Sequence, residues 1–402
     1  MSDQNPNPAS VPESQCPTRR WNRVQLPFDL SSTARILQSH STVTPFHQIL
    51  VHELNQNAWR NSDPPSDDTD VFFASTYALS ESQWALVLRL HTSACDRAAA
   101  AALLRELLEL VGGGGTGREL KGSGEVRLGI EDLIPNGKAN KPFWARGVDM
   151  LGYSLNSFRL SNLEFKDVKL PRTTQMVKLR MNPQDTDKLL AGCKSKGIKL
   201  CGALAAAGLI AAHASKHLPD HQWEKYAVVT LLDCRSLLDP PLAANDFGFY
   251  HSAIMNSHDI NGENTLWELA KRCYTAFANA KNCNKHFTDM SDLNFLMCKA
   301  IENPGLTTSS SMRTAFVSVF EDLVIDDSSE VHQELGLEDY EGCSSVHGVG
   351  PSIAIFDCIR DGELNCTCVY PSPLHSREQM QDLMDHMKSI LVDGCNDVES
   401  ES

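Results

Sequence analysis

The sequence alternates between strand-like and helix-like hydrophobic patterns along much of its length. In residues 84–91 every second residue from position 86 is leucine, which predicts a strand with one apolar face. Residues 71–77 predict another strand before it, and residues 97–111, rich in alanine and leucine, predict a helix after it. Asp96 stands just before that helix, where it can serve as N-cap or as a first-turn anion. This region therefore predicts strands that lead directly into a helix.

The second half of the chain repeats these patterns. The helix predicted over residues 201–217 holds so much alanine and glycine that its backbone must approach a neighbouring element closely. The remaining predicted elements are strands at 175–180, 226–232, 315–320, 352–358 and 366–370, and helices at 185–196, 264–280 and 376–392. This order of elements predicts a second α/β domain.

Polar and glycine-rich stretches divide the chain. The first 20 residues are too polar to offset the entropy cost of ordering, and residues 112–125 form a glycine-rich linker. Residues 130–165 mix short apolar pieces with prolines, as a crossover between domains would. We therefore expect three parts: a disordered tail at 1–20, an N-terminal domain with its crossover at 21–165, and a C-terminal domain at 166–402.

Composition narrows the classes of function. The chain has 402 residues, 42% of them hydrophobic, and a formal net charge of -15, so we expect no nucleic-acid partner. The most apolar stretches contain charged residues and no apolar leader begins the chain, so we expect neither a membrane partner nor a secretory signal. The 13 cysteines, an odd number spread along the chain, predict free thiols in a reducing cytoplasm.

The common catalytic motifs are missing from the sequence. It contains no G-x-S-x-G, no phosphate-binding P-loop, no dinucleotide fingerprint after a strand, no H-E-x-x-H and no paired C-x-x-C. His213 and His217 lie four apart on a predicted helix, but no carboxylate or thiol nearby completes a metal site. We therefore predict no metal and no bound cofactor.

Two segments carry charged residues at strand ends. The first is His91-Thr92-Ser93-Ala94-Cys95-Asp96, between a predicted strand and a predicted helix. The second runs from Asp233 and Arg235 through a proline-stiffened loop to Asp246-Phe247-Gly248-Phe249. An unpaired buried charge costs several kcal/mol, so we expect Asp233 and Arg235 to have ionic partners.

These segments resemble the coenzyme A-dependent acyltransferase superfamily. The shared pattern is a strand, H-(H)-x-x-x-D, an alanine- and leucine-rich helix, a long crossover, and then D-x-R-S-x-L-x-P-P-L with an F-G step, over residues 71–391. That superfamily includes chloramphenicol acetyltransferase, the plant BAHD acyltransferases and the condensation domains of peptide synthetases. The run Leu90-His91-Thr92-x-x-Cys95-Asp96-Arg97-Ala98-Ala99 looks closest to plant condensation-domain-like proteins.

The resemblance implies a fold and roles for individual residues. It implies an α/β fold of two sandwiched chloramphenicol acetyltransferase-like domains with a substrate tunnel between them. His91 matches the first histidine of the motif, Thr92 stands at the position of the family's general base, and Asp96 matches the structural aspartate, which pairs with the arginine matched by Arg235. Arg97 replaces the motif's glycine, and His347 lies in a segment placed like the D-F-G-W-G loop without matching it.

The substituted motif leaves several functions open. A threonine hydroxyl has no basic form near neutral pH, so Thr92 cannot act as a general base. The motif also lies nearer the start of this chain than in the family, which predicts an incomplete N-terminal domain. We expect a monomeric acyltransferase of plant metabolism that uses acyl-CoA as co-substrate and a small alcohol or amine as acceptor. Its base would be His91, or a tunnel residue such as His251 or His347. The alternatives are a non-catalytic relative that binds a ligand or partner, and carrier-dependent condensation.

Overall fold

The computed structural model describes residues 23–24, 30–37, 43–56, 71–112, 128–157, 159–326 and 329–400. It divides the chain into two compact units, Met1–His91 and Thr92–Ser402. The expected tail at 1–20 and most of the glycine-rich linker at 112–125 fall outside the described residues. The domain boundary predicted at 165/166 stays a prediction.

The first unit contains a small sheet and two helices. Its elements are β1 (Arg23–Val24), α1 (Leu30–Ile36), α2 (Pro45–Leu54), β2 (Phe72–Ala78) and β3 (Trp84–Leu90). β2 and β3 pair in antiparallel fashion with Phe72 opposite Leu90, and β1 pairs in parallel with β2. The alternation of leucines that predicted β3 is thus part of a two-strand ladder.

The second unit holds the remaining elements. Its helices are α3 (Arg97–Val111), α4 (Phe143–Ser157), α5 (Pro183–Ser195), α6 (Leu200–Ala214), α7 (Leu266–Asn282), α8 (Lys285–Thr288), α9 (Met290–Glu302), α10 (Ser329–Leu335) and α11 (Arg377–Ser400). Its strands are β4 (Thr173–Met181), β5 (Glu224–Asp233), β6 (His251–Ile260), β7 (Arg313–Phe320), β8 (Val324–Asp326), β9 (Gly350–Arg360) and β10 (Glu363–Ser372).

These strands form one mixed sheet of seven, in the order β4-β10-β9-β7-β5-β6, with β8 beside β9. β5, β7 and β9 run parallel to one another, so β5 and β7 end at the same edge of the sheet, where β6 begins antiparallel to β5. Polar side chains from several segments are brought together at this edge. The predicted α/β class is confirmed.

One face of the sheet is covered by helices. Alternate residues of β4 and β10, including Leu179 and Cys368, join one large buried core with residues of α5, α6, α7 and α11. The close approach predicted for α6 is confirmed at Gly202, because a β-carbon there would lie 2.9 Å from the carbonyl oxygen of Ala270 in α7. α6 ends at Ala214, and His217 has a positive φ of 51°, so His213 and His217 do not share a helix face as the sequence suggested.

No single helix among the described residues is long and apolar enough to cross a membrane, although α5 and α6, bent by 106°, pass that length and composition test as a pair. The 12 cysteines in the described part of the chain are free.

Candidate active site

Asp96 is fixed at the start of α3 by its role as N-cap. Its Oδ1 accepts a hydrogen bond from the Ala99 amide at 2.9 Å, which satisfies one of the free N–H groups of the first turn. The Asp96 amide in turn donates to the carbonyl oxygen of Gly248 at 3.2 Å. The carboxylate is almost completely buried, with 1% of the side chain exposed. A charge so buried requires partners.

Arg235 supplies the main partner. It begins a short helical turn after β5, and its Nη1 and Nη2 lie 2.9 Å and 3.1 Å from Oδ2 and Oδ1 of Asp96. The remaining guanidinium hydrogens go to Asp233 and to the backbone oxygens of Asp246 and Gly248. This two-pronged contact is the geometry that guanidinium and carboxylate groups favour. The predicted ion pair between Asp96 and Arg235 is confirmed, and both residues lie in the second unit.

Tyr250 and His251 complete the surroundings of the carboxylate. The Tyr250 amide donates to Asp96 Oδ2 at 2.7 Å, and His251 Nδ1 lies 3.0 Å from the same oxygen. We call Asp96, Arg235, Tyr250 and His251 the Asp96 cluster. Burial alone would raise the pKa of the Asp96 carboxyl, but His251, Arg235 and the Ala99 amide lower this pKa well below its usual range. Asp96 is therefore an anion at neutral pH and cannot serve as an acid.

The loop before β6 is shaped by a close approach at Gly248. A β-carbon on this residue would lie 2.5 Å from the Tyr250 ring. The Tyr250 ring is also 5.0 Å from the Arg235 guanidinium carbon, in cation–π contact. Glycine at the F-G step thus lets the loop bring the Tyr250 amide and the Gly248 carbonyl to the ion pair.

His251 is the first residue of β6 and lies opposite Asp233, the last residue of β5. Its ring is edge-on to the Phe320 ring at the end of β7, with 6.2 Å between the centroids. Nδ1 is buried and has no aligned hydrogen bond within the described part of the chain. The acceptor nearest to it in the recorded contacts is the Asp96 carboxylate, at 3.0 Å. The structure records no hydrogen bond from Nε2 to a described residue, and 9% of the residue stays exposed.

Arg97 follows the motif aspartate, where the family has glycine. Its guanidinium packs over the Phe320 ring at 4.2 Å and lies 3.2 Å from Oδ1 of the buried Asp357 in β9. It also donates to the carbonyl oxygens of Asp322 and Asp357. The Arg97 side chain therefore ties the start of α3 to β7 and β9.

Cys95 precedes the motif aspartate and is buried. Burial and the neighbouring Asp96 raise the pKa of its thiol to about 12. Cys95 thus stays a thiol at neutral pH, which excludes it as the nucleophile of this site.

The other candidate residues, His91, Thr92 and His347, lie outside the Asp96 cluster. His91 is the last residue of the first unit, is partly buried, and donates its amide to the Val71 carbonyl at 2.8 Å. Thr92, the first residue of the second unit, is exposed. His347 Nδ1 lies 2.9 Å from the hydroxyl oxygen of Thr174. The base role predicted for His91, the family base position assigned to Thr92 and the expected tunnel all stay predictions.

Sequence reasoning named His251 but not its contact with Asp96. The sequence did hint at this contact, because Gly248-Phe249-Tyr250-His251 comes soon after Asp233 and Arg235, and a short loop can bring the two segments together. Residues 251–260 were not predicted as a strand, so the pairing of His251 with Asp233 could not be seen. In the described ranges no group of three histidine, cysteine, aspartate or glutamate side chains could hold a metal ion.

Comparisons with known proteins agree with this architecture. The family described as phthiocerol/phthiodiolone dimycocerosyl transferase C-terminus matches residues 170–280. No curated protein matches the chain in sequence.

Three solved structures illustrate the similarity of fold. Trichothecene 15-O-acetyltransferase from Fusarium sporotrichioides has a TM-score of 0.60 at 12% identity, over 83% of this chain and 72% of that one. Polyketide synthase associated protein 5 from Mycobacterium tuberculosis has a TM-score of 0.57 at 17% identity, over 83% and 79% of the two chains. The EpoB NRPS cyclization-docking bidomain from Sorangium cellulosum has a TM-score of 0.59 at 12% identity, over 92% and 70%. The chain is thus similar over residues 170–280 to a family of acyl transferases, and it shares its fold with an acetyltransferase and with domains of peptide synthetases.

Proposed function

We propose that this protein transfers an acyl group from acyl-CoA to a small alcohol or amine. The observation that carries the proposal is the Asp96 cluster, in which the family's aspartate and arginine are paired and an imidazole stands beside the same carboxylate. An aspartate and arginine that only filled space would not need to be ionised and buried together, since such a pair rarely gains stability over apolar residues.

The chemistry requires a group that accepts one proton and later returns it. A base removes the proton of the acceptor O–H or N–H while the oxygen or nitrogen attacks the thioester carbonyl carbon. A carbon–oxygen or carbon–nitrogen bond forms and the carbon–sulfur bond breaks. The proton then passes from the base to the departing thiolate, so that an ester or amide and free thiol are the products. Imidazole is suited to this exchange near neutral pH.

Carrier-dependent condensation shares this thioester chemistry. The similarity to an NRPS cyclization-docking bidomain supports it as the second candidate. The two differ in the donor, which is free acyl-CoA in one and an acyl group on a protein-bound pantetheine arm in the other. A non-catalytic relative is the third candidate, supported by the threonine at the position of the family base.

The decisive experiment follows thiol release and product mass together. The full chain is incubated with a panel of acyl-CoA thioesters and a mixture of small alcohols and amines, with acyl groups on a carrier protein as a second arm. Free thiol and a matching ester or amide from the first arm are the expected result. Product from the carrier arm alone would replace the proposal with condensation.

Binding without turnover distinguishes the third candidate. Thermal unfolding is measured with free CoA and acyl-CoA, because a ligand that binds the folded state raises the unfolding temperature with its concentration. Stabilisation without product in either arm would establish a ligand-binding relative and end the enzyme proposal.

A further inference from the structure

We propose that His251 is the general base of this protein, in place of the histidine that Thr92 has replaced. The inference rests on the proposed acyl transfer and names the residue that moves its proton. Within the Asp96 cluster, His251 supplies the one imidazole, the side chain that most often serves as general base, whereas Asp96 is held as an anion and Arg235 as a cation.

The His251 ring is oriented with one edge buried and the other edge without a partner among the described residues. Nδ1 is the buried edge and lies 3.0 Å from Oδ2 of Asp96 without the alignment of a hydrogen bond, and this negative neighbour favours the proton of a neutral imidazole on Nδ1. The lone pair then lies on Nε2, which has no hydrogen-bond partner among the described residues. This is the arrangement of a carboxylate that fixes a tautomer and stabilises the imidazolium formed during reaction.

The Asp96 carboxylate is held in place by several donors. Asp96 is positioned by the Ala99 and Tyr250 amides and by both terminal nitrogens of Arg235. The ring also contacts Phe320 edge-on, and the Phe320 ring in turn packs against the Arg97 guanidinium. A base must be held within about 1 Å of its working position, because larger errors forfeit about 10²-fold in rate.

His251 lies at one edge of the seven-stranded sheet. His251 begins β6 at the edge where the parallel strands β5 and β7 end, opposite Asp233. Ligands of open α/β sheets bind outside the carboxyl ends of the strands. The charged groups linked to the ring by these contacts are Asp96, its partner Arg235, Asp233 opposite His251 in the ladder, and Arg97, which packs on the same Phe320 ring.

The resulting step balances. His251 Nε2 takes the proton of the acceptor hydroxyl or amine as its oxygen or nitrogen bonds to the thioester carbonyl carbon. The carbon–sulfur bond breaks, and the proton on Nε2 passes to the sulfur of coenzyme A. The neutral imidazole is regenerated, and no oxidant, metal or other reactant is needed.

The test compares two histidines of the same strand. His251→Asn removes the base and keeps an amide beside Asp96. His258→Asn is the matched control, because His258 is also buried, in β6, about 23 Å further along the strand. We expect kcat to fall by about 10² to 10⁴ in H251N and to stay within about twofold in H258N. Both proteins should melt cooperatively.

A readout of the proton step separates a base from a structural residue. In the wild type, kcat/KM should rise with pH along an acidic limb of slope one, and H251N should lose that limb. In a second variant, His251→Ala, added imidazole should raise the activity at least about tenfold. Loss of activity without rescue, and with the limb retained, would make His251 structural and overturn the proposal.

Chemical modification covers the case in which the variants do not fold. Diethyl pyrocarbonate acylates accessible imidazole nitrogen, and peptide mass spectrometry locates it. Inactivation of wild type should follow modification of His251 and be slowed by acyl-CoA, while His258 stays unmodified. Inactivation that follows His91 instead would overturn the assignment but leave the acyl transfer intact. A wild type without transfer in either donor arm would defeat the proposed function itself, and the base with it.

Discussion

Asp96 performs two structural tasks with one carboxylate. Oδ1 caps α3 through the Ala99 amide, while Oδ2 meets the Tyr250 amide and the His251 ring, and both oxygens bind Arg235. The start of a helix thereby becomes linked to the end of a strand more than a hundred residues away in the chain. A change at this residue should consequently affect stability as well as chemistry.

Asp96→Asn keeps an oxygen for the helix cap but removes the buried counter-ion of Arg235, whose remaining carboxylate partner is the more exposed Asp233. Breaking such a pair from one side costs about 3 to 5 kcal/mol, so the free energy of unfolding at pH 7 should fall by that amount. Urea unfolding measures it, with the exposed Asp382→Asn in α11 as a control expected to change stability by less than about 0.5 kcal/mol. A loss below about 1 kcal/mol in D96N would show that the pair is not energetically coupled.

The same pair gives a pH dependence. The pKa of Asp96 is lower in the folded chain than its usual value, so the unfolded chain binds more protons in acid. The stabilisation is therefore complete above the unfolded pKa of about 3.9 and is lost as pH falls toward the folded pKa. The difference in unfolding free energy between wild type and D96N should shrink as the pH falls from about 4 toward about 2. A difference that stays constant over that interval would contradict this assignment of charge.

The residues of this site were predictable in part. Asp96 precedes an obvious helix, and Arg235 follows a buried strand, so local rules place both and the cost of buried charge pairs them. His251 depends on the register of β5 against β6, which is a long-range property. Because residues 251–260 mix apolar and polar positions on both faces, their periodicity does not announce a strand.

At the scale of elements, α6 makes the close approach that its sequence predicted, and its neighbour there is α7. Gly202 lies where a β-carbon would meet the Ala270 carbonyl oxygen at 2.9 Å and the Tyr274 β-carbon at 3.0 Å. One of these obstacles is backbone and cannot rotate away. The helices would have to separate to accept a larger residue.

Gly202→Ala should therefore destabilise the protein by about 1 to 3 kcal/mol, the usual cost of overpacking a core. Gly147→Ala in α4 is the matched control, because it is also a helical glycine but a β-carbon there would meet nothing within 4 Å. It should stabilise by up to about 1 kcal/mol through helix propensity. Opposite signs in chemical unfolding are expected, and stabilisation by both substitutions would show that α6 and α7 are not packed this closely.

Missed elements share a physical cause. α4 carries exposed apolar residues such as Trp144 and Val148 and two internal glycines, so its pattern is unlike that of a helix packed along one face. β8 has 3 residues and lies within an acidic segment. Short or solvent-facing elements are determined by tertiary contacts rather than by local periodicity, so hydrophobic patterns in the sequence do not predict them.

For the whole molecule, the two units differ greatly in what they bury. The first has a described sheet of three strands, one of them only 2 residues long, and a core cluster centred on Ile49, Tyr77 and Ala85. A buried polar contact between Tyr77, Glu53 and Arg89 supplements it. The second unit has a seven-stranded sheet with a continuous core under four helices.

This asymmetry predicts unequal opening in hydrogen exchange. The free energy of local opening rises with the apolar surface that opening exposes. A difference of about 1.4 kcal/mol in this free energy changes the exchange rate about tenfold. We expect peptides from β2 and β3 to exchange at least about tenfold faster than those from β9 and β10, which are also an antiparallel pair and so provide a matched comparison. Low urea should accelerate the first pair before the second. Equal protection of both pairs with the same urea dependence would mean that the chain opens as one cooperative unit, and that the small core of the first unit is not the weaker part of the molecule.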